Sequence, residues 1–112
     1  KVRVIYSSFN HYSIQKIRSL DPEAETAYLF GDILLHAERY ARETGVKGLH
    51  PALYHMAMGT LVQEYTGSGL AVRVWTVNEE AHIRRMLDLG VDAIITNYPD
   101  RGVRLRDEME KR

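Results

Sequence analysis

Apolar residues recur along this chain with two spacings. Residues 71–78, AVRVWTVN, are mostly apolar and read as a buried strand ending on a tryptophan. Residues 90–100, GVDAIITNYPD, contain a second such run. Between them, EEAHIRRMLDLG places Ile83, Met86 and Leu87 on one helical face. Strand, helix and strand in about thirty residues is the size of a βαβ unit. Trp75, Asn78, Thr96 and Asn97 then fall at the C-terminal ends of strands, where α/β folds place their chemistry.

The upstream sequence keeps the same rhythm. Residues 1–8, KVRVIYSS, predict a strand, and Asn10 is suited to cap a helix over HYSIQKIRSL with Ile14, Ile17 and Leu20 on one face. Asp21-Pro22 ends that helix, and residues 25–30, ETAYLF, predict a second strand. Gly31-Asp32 turns the chain into ILLHAERYARETG, whose stripe is Ile33, Leu34, Ala37 and Ala41, with Gly45 as the residue after the helix. A short strand over 46–49 ends at His50-Pro51. A helix over about 52–65 follows, with Leu53, Met56, Thr60 and Leu61 inward. Gly67-Ser68-Gly69 breaks it. Residues 70–77 form the third full strand, Asn78 caps the next helix, Gly90 closes it, and 91–96 form the fourth. VRLRDEMEKR is suited to a terminal helix. Alternating strands and helices imply a parallel sheet with helices outside it.

Composition changes this picture little. The 112 residues suffice for one small domain with a core, and 45% hydrophobic with 27% charged residues is ordinary for a globular chain. Fifteen basic and fifteen acidic residues cancel, so no electrostatic footprint for nucleic acid is present. The chain has no cysteine, which removes disulfides, thiolate metal sites and a cysteine nucleophile. No apolar run approaches the roughly 20 residues of a membrane helix. No signal peptide is visible, so the expected location is the cytoplasm.

Candidate chemistry is sparse. Trp75 is the one tryptophan, suited either to the core or to the wall of a pocket. His11, His36, His55 and His82 suit surface or structural positions, and His50, which ends a short strand, adds a pocket position as an alternative to these. His50 and His55 do not have the spacing of a zinc-protease pair. Ser7 and Ser8 lack the surroundings of a nucleophile elbow and suit turn hydrogen bonds. Asp32, Asp92 and Asp100 are isolated, and no strand end carries paired carboxylates for a hard metal. Gly67-Ser68-Gly69 lacks the Lys of a phosphate-binding loop. The residues alone yield an α/β unit with pocket candidates and no complete catalytic set.

Four segments, in order, carry a family resemblance. VIYSSFNHYSIQKIR, GLHPAL, AVRVWTVN and GVDAIITNYPD resemble segments of bacterial glycerophosphodiester phosphodiesterases, and the similarity covers nearly the whole chain. The resemblance implies a (β/α)₈ barrel of which residues 1–112 are a single partial domain, the C-terminal half, strands five to eight. It implies metal-dependent hydrolysis of glycerophosphodiesters to glycerol 3-phosphate and an alcohol, with Mg²⁺ or Ca²⁺ as cofactor in the complete enzyme. The family's His-Arg-Gly segment, acidic second strand, His-Asp turn and fourth-strand glutamate have no counterpart here. The expectation is therefore no catalytic residue and no metal ligand in this chain, and no turnover by it alone.

What the resemblance carries over is the substrate side. Trp75 matches the family's pocket tryptophan and Phe9 its SSF phenylalanine, with His50 as a further substrate-side candidate. Asn97 departs from the aspartate common in the last motif. A half barrel has open strand edges, so the expected partner is the missing N-terminal half or a second copy of the chain. The alternative is a non-catalytic, self-associating half barrel. A third reading, another phosphate-binding α/β domain, predicts a phosphate on backbone N–H groups near Asn78 or Asn97.

Overall fold

A computed structural model describes residues 2–111. Five strands, β1 (Ile5–Ser8), β2 (Glu25–Phe30), β3 (Gly48–Pro51), β4 (Ala71–Trp75) and β5 (Ala93–Ile95), form one curled parallel sheet in sequence order. The helices are α1 (His11–Leu20), α2 (Ala37–Glu43), α3 (Gly59–Thr66), α4 (Glu80–Leu89) and α5 (Pro99–Glu110), with a 3₁₀ segment at Leu53–Ala57. Each crossover joins neighbouring strands, and right-handed crossovers then put the helices on one face of the sheet. This is half of a (β/α)₈ barrel. Among the described residues, no helix is long and apolar enough to cross a membrane.

The main core lies between sheet and helices. Tyr28, Phe30, Leu49, Val72 and Val74 point outward from the strands and meet Ile14, Ala41, Met56, Leu61 and Ile83, all buried. Alternation along each strand sends the next residues to the inner face. There the chain places Glu25, Gly48, His50 and Arg73 rather than a uniformly apolar lining.

Several local expectations hold. Asn10 caps α1 by accepting from the backbone N–H of Tyr12 and Ser13, Asp21 ends that helix, and Gly90 closes α4 at φ 76°. Others are corrected. The short strand expected over 46–49 is β3 at Gly48–Pro51, so His50 and Pro51 belong to it rather than ending it. The helix expected from Ile33 starts only at Ala37, after His36 in the left-handed region at φ 58°, so Ile33 is half exposed. The helix expected over 52–65 is a 3₁₀ segment and then α3, separated at Met58, and Thr60 is exposed. Asn78 does not cap α4; Glu79 stands at that position with no side-chain cap.

Candidate functional site at the strand ends

The inner face of the half barrel carries a polar chain that begins just before the first strand, at Arg3. Arg3 donates through Nε and Nη2 to both carboxylate oxygens of Glu25, at 2.8 and 2.7 Å. Arg73 Nη2 donates to Glu25 Oε2 at 2.6 Å, and Arg73 Nη1 lies 3.2 Å from His50 Nε2. Ser7 Oγ lies 2.8 Å from the other ring nitrogen, Nδ1. A guanidinium only donates, so Nε2 is the acceptor and Nδ1 bears the proton directed at Ser7. Gly48 makes this route possible. A Cβ there would come within 2.9 Å of Ala27 Cβ and 3.1 Å of Arg73 Nη1.

The electrostatics follow from these contacts. Hydrogen bonding to Arg3 lowers the Glu25 pKa to about 2 against an opposing effect of burial, with the charges of Arg3 and Arg73 adding to the lowering. Burial pushes the His50 pKa down to about 4, and the Arg73 charge pushes the same way. His50 is thus a neutral, oriented imidazole at neutral pH and not a cation.

At the strand ends this network fixes an aromatic wall. Trp75 Nε1–H donates to the backbone carbonyl of His50 at 2.7 Å, and Phe9 meets the indole edge-on, with ring centroids 5.7 Å apart. The structure therefore brings Phe9, His50 and Trp75 together. Phe9 remains 62% exposed while Trp75 is partly buried, so Phe9 is the open side of the wall. Beside Phe9, a cavity of about 540 Å³ runs along the end of β2, lined among others by His11, Phe30, Asp32, Leu35 and Tyr40. His11 Nε2–H donates to the Leu29 carbonyl at 3.1 Å, leaving Nδ1 to accept from Tyr40 Oη–H at 3.0 Å. The His11 ring also stacks on Tyr28 at 4.1 Å.

The remaining candidates have structural partners. His55 is fully buried, donates through Nε2 to the Gly31 carbonyl at 2.8 Å, and has Nδ1 3.2 Å from Tyr65 Oη. Its ring and that of His50 are committed to separate partners and form no metal pair. Ser8 accepts from the Asn10 N–H in a turn, whereas Ser7 is taken up by His50. Asn78 Oδ1 accepts from Thr96 Oγ1 and from the Asn97 N–H, both at 3.0 Å, tying the β4 and β5 exits together. The Asn97 amide is engaged there and is not free to hold a phosphate.

A divalent cation at the strand ends would need several oxygen ligands. Among the described residues, the connections leaving β2, β4 and β5 carry one carboxylate each, Asp32, Glu79 and Asp100, and these are not among the side chains close enough to share an ion. The set does not fit such a cation. The side chains that do lie close enough to share one, His36, Glu38 and Glu64, are on the outer layer, just before or within helices.

The polar inner chain was missed in sequence. The signal was Arg73 inside an otherwise apolar strand, since a charge there requires a partner. Nothing local names Glu25, 48 residues upstream, as that partner.

Comparison with known proteins agrees with this architecture. Residues 1–101 match the glycerophosphoryl diester phosphodiesterase family model. A glycerophosphodiester phosphodiesterase of Bacillus altitudinis is 37% identical over 109 residues, covering 96% of this chain and 44% of that protein. One from Caldanaerobacter subterraneus subsp. tengcongensis is 34% identical over 98 residues, covering 88% and 40%. The solved glycerophosphodiester phosphodiesterase of Parabacteroides distasonis superposes with a TM-score of 0.82 at 26% identity, over 94% of this chain and 43% of that one. The chain spans less than half the length of these relatives. Since the family match runs from the first strand into the last helix, this chain belongs to the glycerophosphoryl diester phosphodiesterase family.

Proposed function

We propose that this chain is the substrate-side half of a hydrolase that cleaves glycerophosphodiesters to glycerol 3-phosphate and an alcohol. One observation carries the reading. Trp75 is locked at a strand end by its bond to the His50 carbonyl and stands at right angles to the exposed ring of Phe9. A rigid aromatic surface at the C-terminal ends of parallel strands suits the carbon skeleton of a glycerol or alcohol group. In this reading Phe9 and Trp75 exclude water from one side of the substrate. Neutral His50 holds the backbone carbonyl that aims the indole. Water is the nucleophile, and the P–O bond to the alcohol breaks. The proton-transfer groups and the ligands of Mg²⁺ or Ca²⁺, which would stabilise charge on phosphorus, are assigned to strands outside this chain. Its partner is accordingly the complementary half barrel.

A second reading is a self-associating, non-catalytic half barrel. It is favoured by the open edge at β5, where Ile95 is 41% exposed.

Trp75 is the one tryptophan of the chain, so its fluorescence reports the wall directly. The reading expects a saturable change on titration of glycerophosphocholine, weakened by Phe9→Ala. An unchanged spectrum would take the wall out of substrate binding.

A further inference from the structure

We propose a divalent transition-metal site of the zinc type, built by His36, Glu38 and Glu64, that clamps α2 to α3 on the outer layer. It is independent of the strand-end wall. His36 immediately precedes α2, Glu38 lies in its first turn, and Glu64 lies in α3. One ligand atom from each can be chosen so that all three lie within 4.8 Å of one another. His36 Nδ1 is 3.4 Å from Glu38 Oε1 and 4.0 Å from Glu64 Oε1.

The second observation is on Glu38 itself. The residue is only 9% exposed, and its Oε2 is buried with no hydrogen-bond partner among the described residues. A buried, unpartnered carboxylate oxygen is costly, and native structures leave few. A cation beside the carboxylate would remove that cost, whereas the half-exposed His36 ring partners only the opposite oxygen.

The spacing and donor chemistry agree on the class of ion. Metal–ligand bonds of roughly 2.0–2.2 Å place neighbouring donors of a tetrahedral site roughly 3–3.5 Å apart. The His36–Glu38 pair already has that separation, and a small rotamer adjustment of the partly exposed Glu64 brings in the third ligand. One imidazole with two carboxylates suits Zn²⁺ or Co²⁺ better than Mg²⁺, which prefers all-oxygen shells. Three protein ligands leave one position for water.

The test uses the 112-residue chain freed of metal with a chelator. Zn²⁺ is titrated by calorimetry, Co²⁺ by its visible absorption, and the melting temperature is followed with each. The expected result is one saturable site per chain, a rise in melting temperature, and at least a tenfold loss of affinity in both Glu38→Gln and Glu64→Gln. His82→Gln, an exposed histidine elsewhere, should bind as the parent does. Glu38→Gln keeps the side-chain shape, and Glu64→Gln alters a partly exposed position, so at least one variant is a fair probe of a folded chain. Absence of saturable binding, or binding that survives both substitutions, would overturn the site.

Discussion

The indole N–H of Trp75 is bonded to the backbone carbonyl of His50, 25 residues earlier on the neighbouring strand, at 2.7 Å. That bond fixes the ring plane at the mouth of the half barrel. Trp75→Phe keeps an aromatic ring but loses the anchor; Trp75→Ala loses the surface as well. In the enzyme completed with its upstream strands, Trp75→Ala is expected to lower kcat/KM by roughly 10–100-fold, about 1.4–2.8 kcal/mol, with Trp75→Phe between it and the parent. Steady-state kinetics on glycerophosphocholine measure this, and unchanged constants in both variants would remove Trp75 from the site.

Glu25 binds two arginines of unequal value. Arg3 is 73% exposed at its side chain and Arg73 only 8%. Arg3 does more to lower the Glu25 pKa, yet solvent screens it, so Arg3→Ala should cost little stability. Arg73→Ala strips the buried member and leaves Glu25 and His50 without it. Its expected cost is about 3 kcal/mol. Urea unfolding of the two variants should separate them clearly, and equal losses would contradict the ranking.

His50 makes stability depend on pH in the acid direction. Its pKa falls from 6.5 to about 4 on folding, so the unfolded chain takes up a proton between those values while the native chain does not. Stability is full above pH 6.5 and is lost as pH falls toward 4, by up to about 3 kcal/mol. Glu25, lowered from 4.5 to about 2, extends the loss to lower pH in the same direction. Melting curves of the parent and His50→Gln should differ in slope between pH 6.5 and 4, with the variant flatter. Parallel curves would mean that His50 is not held neutral.

Gly48 is the gap through which Arg73 reaches Glu25. Gly48→Ala places a methyl 3.1 Å from Arg73 Nη1 and 2.9 Å from Ala27 Cβ, tighter than such contacts tolerate. The expected cost is about 1–3 kcal/mol. Combining it with Arg73→Ala should cost less than the sum, because the clash with the guanidinium is then gone and only that with Ala27 remains. Strict additivity in chemical denaturation would sever the link between the two residues.

The fold was legible where local and tertiary signals coincide. ETAYLF is β2 with the expected bounds, and Asn10 and Gly90 cap helices because their short-range geometry alone suffices. The apolar stripe from Ile33 misled because it continues into a loop: Leu34 packs on the core without helical backbone, and His36 breaks the period in a left-handed turn. Asn78 carries the signature of a helix cap, but its oxygen is held by Thr96 and Asn97 from the next loop, a contact made only once β5 is in place. At the site, Phe9, His50 and Trp75 were named from sequence and lie together, whereas Glu25 and Arg73 were not named and Ser7 was expected only in a turn. Those three are joined across strands, and only the register of the sheet reveals it. The same is true of Glu38 and Glu64, brought together by the packing of two helices.

The most direct test of the account is release of glycerol 3-phosphate from glycerophosphocholine by the 112-residue chain. It should be measured alone and after co-expression with the upstream half of the Bacillus altitudinis relative, with Mg²⁺ or Ca²⁺ and with chelator. The account predicts no release by the chain alone and cation-dependent release by the joined halves, reduced by Trp75→Ala. Chelator-sensitive release by the chain alone, indifferent to Trp75, would contradict it.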